Sequence, residues 1–507
     1  MGDAMLQAFG QVFGNPVVWA VVVASAGYGV FVGAIPGLTA TMAVALFVPL
    51  SYWLDPVSAL AAVVTMEACA IFAGDIPTAL LRIPGTPASA AYADDAYGFA
   101  QRGEPHRPLG VCLLFSAVGG LFGAAVLMLV GHQLARIATL FSVAEYFWLY
   151  VLGLSCAVVV ARGSILHAVF GLLLGLLLST VGLSAVHAEA RFTFGRAELF
   201  QGINFIPAMI GLFGISEVFR NLLDLDGTTA PARPGPSASR SAVAGALRGA
   251  ARLMVRRKRH LLRSGAIGAL VGMLPGAGAD IAAWVSLAGS KRLGKRSADA
   301  DDAALEAIGD ASTANSAALA ATWIPALVFG IPGDSITAIV IGVLLMKNVK
   351  PGPEIFEKQT VLVYSIYLTF VLANLVLIPI GLLAIKLGVY VVQTPRRILL
   401  PCIVLFCVIG AYAINASYFD VWVMLAMGVL GFLLERRGIP LGPVVLGIIL
   451  GGPLEERFIQ TLTGSGGSLW AFFDRPVAAL LGALCLALWA GVITVDLKRR
   501  LSAKPSE

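Results

Sequence analysis

Eight stretches of this chain are each long and apolar enough to cross a bilayer, at residues 16–34, 109–131, 143–161, 164–186, 203–219, 264–288, 360–392 and 477–497. A spanning helix needs about 20 mostly apolar residues. Shorter apolar segments lie between them at 38–54, 57–73, 314–329, 335–346, 398–414, 421–434 and 439–451. Hydrocarbon offers no partner to a backbone N–H or C=O, so such segments must satisfy their own hydrogen bonds, which favours helices. Only 13% of the 507 residues are charged against 58% hydrophobic, where a soluble domain carries about 25% charged residues. The expected fold is therefore an all-α polytopic membrane protein with about 12 transmembrane helices plus re-entrant or broken helices.

The formal net charge of +6 reports topology rather than nucleic-acid binding, because the basic residues flank apolar segments. Residues 220–263 hold ten Lys and Arg against Asp224 and Asp226, which by the positive-inside rule places this stretch in the cytoplasm. The KRRLSAK run at 498–504 reads the same way, whereas the first fifteen residues contain no Lys or Arg. The N-terminus is expected to be periplasmic, the C-terminus cytoplasmic, and residues 16–34 a retained first helix. The charged stretch 290–312 reads as a solvated loop, and the Pro/Ser/Ala-rich TTAPARPGPSASRSA as a mobile connection. The six cysteines all fall in apolar segments without a C-x-x-C pair and read as packing residues.

Two frames repeat. GAIPGLTATMA at 33–43 is echoed by GMLPGAGADIA at 272–282, and IPTALLRIPGTPASA at 76–90 by IPALVFGIPGDSITA at 324–338, the latter with a constant offset of 248 residues. The first half starts outside and ends at the basic segment, so the second enters from the opposite face. This gives an inverted-topology repeat, as in many secondary carriers. The expected divisions are residues 1–220 for the first repeat half, 221–262 for a basic cytoplasmic linker, 263–460 for the second half, and 461–507 for an extra helix and tail.

Proline removes a donor from the helical ladder and glycine permits backbone conformations other residues avoid. Pro36-Gly37, Pro84-Gly85, Pro275-Gly276 and Pro332-Gly333 therefore break helices at membrane depth, where irregular backbone persists only if it is buried in protein or lines a cavity. Free N–H groups at such ends suit a carboxylate, and free carbonyls suit a cation. Small polar residues follow three of these breaks: Thr39 and Thr41, Thr86 and Ser89, and Asp334, Ser335 and Thr337; after the fourth, Gly276 and Gly278 lead to Asp280. In register, Thr41 matches Asp280 and Thr86 matches Asp334. Close packing of small residues is the structural alternative.

Acids in apolar segments are costly and usually functional. Asp280 and Asp334 join the site on this ground, with Glu67 and Asp75 as weaker candidates; Asn315 occupies the repeat position of Glu67. At least one of these acids is expected to bind a coupling cation, sodium or proton. The alternative for each is a helix cap or an ion pair, Arg82 being the evident partner for Asp75. The GSKRLGKR run at 289–296 imitates a phosphate-binding loop but lacks the Ser or Thr and the preceding strand. The five histidines lack metal-ligand spacing, so neither a metal nor a catalytic group is expected.

With these motifs in hand the sequence resembles the large membrane subunit of the tripartite tricarboxylate transporter family over about residues 15 to 460. The resemblance rests on GAIPGLTATMAVALFVPL, AGDIPTALLRIPGTPASAAYADDAYGFAQRGE, GMLPGAGADIAAWVS, and IPALVFGIPGDSITAIVIG continuing to PGPEIF. It implies a secondary transporter in the bacterial inner membrane that takes up small carboxylates with a cation gradient. It also implies two partners, a small four-helix membrane subunit and a periplasmic solute-binding protein. The departures from the family pattern are Ser312, where an acidic residue is usual, Asn315-Ser316, where a pair of asparagines is usual, Asp95-Ala96-Tyr97 in place of D-G-Y, and Asp75, where a small residue is usual. By analogy with carriers of similar repeat design, the expected mechanism is alternating access of the elevator type. A passive anion channel would want a continuous polar stripe and an intramembrane enzyme a catalytic pair, and the sequence offers neither.

Overall fold

The computed structural model describes residues 2–161, 164–184, 189–223, 240–276, 278–293, 300–392 and 396–502. In chain order the helices are α1 (Gly2–Phe13), α2 (Pro16–Ala34), α3 (Ala40–Ser51), α4 (Pro56–Ala73), α5 (Asp75–Leu81), α6 (Ala93–Gln101), α7 (His106–Ala138), α8 (Val143–Val160), α9 (Ile165–Ser179), α10 (Phe205–Met209) and α11 (Ser216–Leu223). They continue with α12 (Arg240–Arg256), α13 (Lys258–Gly272), α14 (Gly278–Leu293), α15 (Ala300–Phe329), α16 (Ser335–Met346), α17 (Ile355–Lys358), α18 (Thr360–Val392), α19 (Arg396–Asn415), α20 (Tyr418–Arg436), α21 (Leu441–Gly464) and α22 (Pro476–Ser502). Among the described residues, seven helical spans are long and apolar enough to cross a membrane, and five apolar helices are shorter. The protein is an all-α, multi-pass membrane protein.

The chain forms two compact units, one from residues 1–135 and 206–433, the other from 136–205 and 434–507. In the second unit α21 packs on α8 and α9, and α22 on α8. A Cβ at Gly175 would stand 2.0 Å from the Val444 carbonyl oxygen, so α9 and α21 meet backbone to backbone. Arg191 closes on Glu455 through two hydrogen bonds of 2.8 and 2.9 Å, a bidentate pair.

The first unit holds both Pro-Gly frames, and its packing repeats with them. Cβ positions at Gly29 and Gly33 of α2 fall 2.6 and 2.1 Å from the carbonyl oxygens of Met66 and Ala70 on α4. Those at Gly268 and Gly272 of α13 fall 2.2 and 2.6 Å from the carbonyl oxygens of Ala314 and Ala318 on α15. Both glycine pairs are four residues apart, so they lie on one helix face and let the backbones touch. Each unit of this design then breaks, α2 before α3 and α13 before α14, with Gly37 at φ +91° and Gly276 at φ +76°.

The stretch 300–312 is helix, not loop, and the reason is pairing. Arg102 holds Asp301 at 2.8 Å, Arg256 holds Asp302 at 2.6 Å, Arg257 holds Glu306 at 2.7 Å and Arg263 holds Asp310 at 2.7 Å. The acids that read as solvated surface bind arginines from other elements, and Asp310 is buried. Within the segment expected as linker, α12 packs Val243, Ala250 and Leu253 into the core with α7 residues such as Leu109 and Val111. Residues 224–239 of that segment lie outside the described residues, as do Lys295, Arg296 and Asp299.

Candidate functional site

Each IPG loop follows a helix that ends in the same way. After α5, Arg82 takes φ 59°, its N–H donates to the Thr78 carbonyl at 3.2 Å, and Ile83 N–H to Pro77 O at 3.4 Å. After α15, Gly330 takes φ 69°, its N–H donates to Ala326 O at 3.1 Å, and Ile331 N–H to Pro325 O at 3.2 Å. This left-handed stop satisfies the last carbonyls and turns the chain back. The glycine of each loop then presses on the helix behind it. A Cβ at Gly85 would be 2.5 Å from Gly74 Cα, and one at Gly333 2.7 Å from Thr322 Cβ.

The residues after each loop close reciprocal boxes. Thr86 Oγ1 accepts from Ser89 N–H at 3.1 Å while Ser89 Oγ accepts from Thr86 N–H at 3.1 Å. Asp334 Oδ1 accepts from Thr337 N–H at 2.8 Å while Thr337 Oγ1 accepts from Asp334 N–H at 2.9 Å. This is capping-box chemistry. It caps α16 directly, whereas in the first loop it opens a short 3₁₀ turn, Ser89–Tyr92, ahead of α6.

Both loops meet the start of α14. The N–H of Ala88 donates to Asp280 Oδ1 at 3.0 Å, and Trp284 Nε1 donates to Pro87 O at 3.1 Å. Two residues before Asp280, Gly278 sits at φ +66° with its Cβ position 3.6 Å from Asp334 Cβ. The structure thus brings together Gly85, Thr86, Ser89, Gly278, Asp280, Gly333, Asp334 and Thr337. Pro84, Pro332 and Ser335 lie in these same loops, and Pro275 and Gly276 at the break before α14.

The first break is engaged elsewhere. Thr39 caps α3 by accepting from Met42 N–H at 3.2 Å. Gly37 O accepts from Asn221 Nδ2 of α11 at 3.3 Å. Pro36, Gly37, Thr39 and Thr41 therefore sit at a break held by α11, and α3 reaches the second loop through its packing on α16.

The acids divide by partner. Asp75 is buried and accepts from Tyr92 Oη at 2.6 Å; it is not paired with Arg82, which turns outward to Asp94 at 2.6 Å. Tyr92 also faces Ser312, so two of the departures from the family pattern border one tyrosine. Glu67 is 1% exposed, and neither carboxylate oxygen makes a hydrogen bond of normal geometry. Asn315 is buried, and its Oδ1 likewise makes none.

Sequence reasoning missed Thr78, Trp284 and Asn221. The Thr78 hydroxyl donates to Gly74 O at 2.7 Å, accepts from Gly85 N–H at 3.2 Å and lies 2.9 Å from Ser89 Oγ. Its one signal was a hydroxyl between the two prolines of the IPTALLRIPG frame. Nothing local marked Trp284 or Asn221, whose partners lie 197 and 184 residues away. The N–H groups of Gly85, Thr86, Ala88 and Ser89 are all taken by side chains, of which Asp280 is the only carboxylate.

Against known proteins, the family model described as Tripartite tricarboxylate transporter TctA family matches residues 19–446. The chain is similar to a protein of Agrobacterium vitis described as "Uncharacterized 52.8 kDa protein in TAR-I ttuC' 3'region". That match is 34% identical over 468 residues, covering 90% of each chain. A second Agrobacterium vitis protein, "Uncharacterized protein in TAR-II ttuC' 3'region", is 35% identical over 224 residues, 44% of this chain and 93% of that one. No solved structure matches.

Proposed function

Since the chain belongs to the tripartite tricarboxylate transporter TctA family, a family of transporter components and not of enzymes, we propose that it is the carrier subunit taking up small carboxylates across the bacterial inner membrane. The observation that supports this reading is the meeting of both IPG loops at Gly278 and Asp280. A solute carboxylate would displace Asp280 from the Ala88 N–H, exchanging one carboxylate for another at little cost. The segments 35–41, 83–89, 274–280 and 331–337 contain no Lys or Arg, while two of them bear acids. An anion can occupy such a place only if cations or protons neutralise the acids as it binds, which is the physical reason for cation coupling.

In this reading the two frames are inverted-topology halves, about 12 crossings in all, with the N-terminus periplasmic and the C-terminus cytoplasmic. The division into 1–220, 221–262, 263–460 and 461–507 follows that plan. The loops move as one body past a scaffold in elevator fashion. A periplasmic binding protein delivers the solute, and a small four-helix subunit completes the complex. A channel is disfavoured by the side chains that fill the loop donors.

The test is uptake by vesicles containing both membrane subunits, with the purified binding protein outside and a panel of labelled di- and tricarboxylates. Saturable uptake that needs the binding protein and collapses with an ionophore supports the carrier. Uptake that is non-saturable and indifferent to ionophores would overturn it.

A further inference from the structure

Glu67 lies in α4 at the wall of a cavity of about 10 Å³, the lower limit for holding one water. Val64, Ser316, Leu319, Phe370 and Asn374 form the rest of the wall that matters. Neither carboxylate oxygen of Glu67 makes a hydrogen bond of normal geometry, and neither does Trp323 Nε1, whose indole faces it from α15. Three such atoms in one buried region are far from ordinary, since buried polar groups are nearly always paired. Each is a device or a defect, and clustering favours a device.

An ionised carboxylate here would be stripped of water and left facing the Trp323 indole as its donor, in place of the full hydration shell it loses. A metal cation fits no better. It would need a ring of oxygens in place of its hydration shell, yet the wall is chiefly aliphatic and aromatic. Besides the two Glu67 oxygens its polar members are Asn374, whose Nδ2 donates to Phe370 O at 2.8 Å and which leaves one amide oxygen, and Ser316 with one hydroxyl, short of the roughly six oxygens a hard cation takes. Trp323 can only donate, which suits an acid or carboxylate and repels a metal ion.

Among the described side chains, the ionisable groups on elements packed against α4 are Tyr28 on α2, Asp75 and Arg82 on α5, Asp334 and Lys347 at the ends of α16, and Tyr364, Tyr367 and Lys386 on α18. α3 carries none, and those of the cavity-lining α15 all lie in its first turns. Among them Asp334 is the one whose charge acts on Glu67. The carboxyl is thus coupled to the acid that heads the second loop.

We infer that Glu67 is the proton-carrying residue of the carrier, and that the coupling ion is a proton rather than sodium. The inference rests on the carrier reading above. When the site faces the periplasm a proton joins the Glu67 carboxylate, its negative charge disappears, and the anionic solute can settle beside Asp334. When the site faces the cytoplasm solute and proton leave together, so one proton crosses for each occupied cycle at this residue.

The experiment uses vesicles containing the full membrane complex, with the binding protein and the same labelled carboxylates. A pH gradient without sodium should drive uptake, and a sodium gradient without a pH gradient should not. Glu67→Gln should lose stimulation by the pH gradient yet retain exchange of labelled for unlabelled solute, because a permanently neutral residue permits binding and crossing. Infrared spectra of the purified complex should show a protonated carboxyl band at neutral pH that Glu67→Gln removes and Glu67→Asp shifts. Uptake driven by sodium alone, pH stimulation retained in Glu67→Gln, loss of exchange together with that stimulation, or absence of the infrared band each overturns the proton assignment. Failure of every carboxylate to accumulate or exchange in the wild-type complex would instead sink the carrier reading.

Discussion

The Asp280 carboxylate accepts a hydrogen bond of 3.0 Å from the backbone N–H of Ala88, 192 residues earlier in the chain. An acid from the second frame thereby occupies the donor that the first frame offers. If solute and Asp280 compete for that donor, weakening the internal competitor strengthens the external one. Asp280→Asn keeps the shape but loses the charge-assisted bond, worth about 1.5–3 kcal/mol. Half-saturating solute concentration should fall about tenfold, measured as initial uptake rate against concentration. An unchanged value would remove Ala88 N–H from the solute site.

Asp334→Asn separates capping from charge. Asn is as good an N-cap as Asp, so the bond from Thr337 N–H to the side chain at this position survives, as does α16. The carboxylate charge is lost. Expected is strong loss of gradient-driven uptake with thermal stability in detergent within about 1 kcal/mol of wild type. Thr337→Ala, which opens the box, should by contrast lower stability by about 1 kcal/mol. Wild-type uptake by Asp334→Asn would leave Asp334 a cap and nothing more.

Gly33 and Gly268 test the paired packing of the two frames. A methyl at either would need to stand where a carbonyl oxygen now is, that of Ala70 or of Ala314. Gly33→Ala and Gly268→Ala should each cost about 1–3 kcal/mol by forcing the helices apart. Thermal unfolding of the purified protein reads this directly, and Gly245→Ala, where nothing lies within 4 Å, is the control expected to melt like wild type.

The sequence spoke most clearly where the bilayer itself sets the rule. Apolar runs such as 16–34 and 360–392 became helices because hydrocarbon leaves no other way to satisfy the backbone. Pro-Gly pairs marked the breaks because they disable the ladder whatever surrounds them. Charged residues were misread wherever the partner was distant. Asp301, Asp302, Glu306 and Asp310 resemble solvated surface until Arg102, Arg256, Arg257 and Arg263 come in from other helices. Asp75 and Arg82 are seven apart in sequence, yet the left-handed turn at Arg82 sends its guanidinium to Asp94 and leaves Asp75 to Tyr92. Thr78 stayed hidden because a hydroxyl in an apolar helix ordinarily satisfies its own preceding turn, and this one does so while also serving the loop.

The meeting of the second loop with α14 can be fixed covalently. The Cβ position of Gly278 lies 3.6 Å from Asp334 Cβ, inside the span of about 3.5–4.5 Å that a disulfide requires. Gly278→Cys with Asp334→Cys, in a background where the six native cysteines are replaced by Ala, should cross-link under mild oxidation. Cys at the positive φ of residue 278 costs about 1–2 kcal/mol, which a bridge of typically 2–4 kcal/mol offsets. The Asp334 carboxylate is lost in this variant, so uptake is a poor readout; solute-independent mobility shift after a protease cut between 278 and 334 is the better one. The two fragments should migrate together when oxidised and apart after reduction. Fragments that separate under both conditions would mean that residue 278 does not stand against the second loop, and the common site at the start of α14 would fall with it.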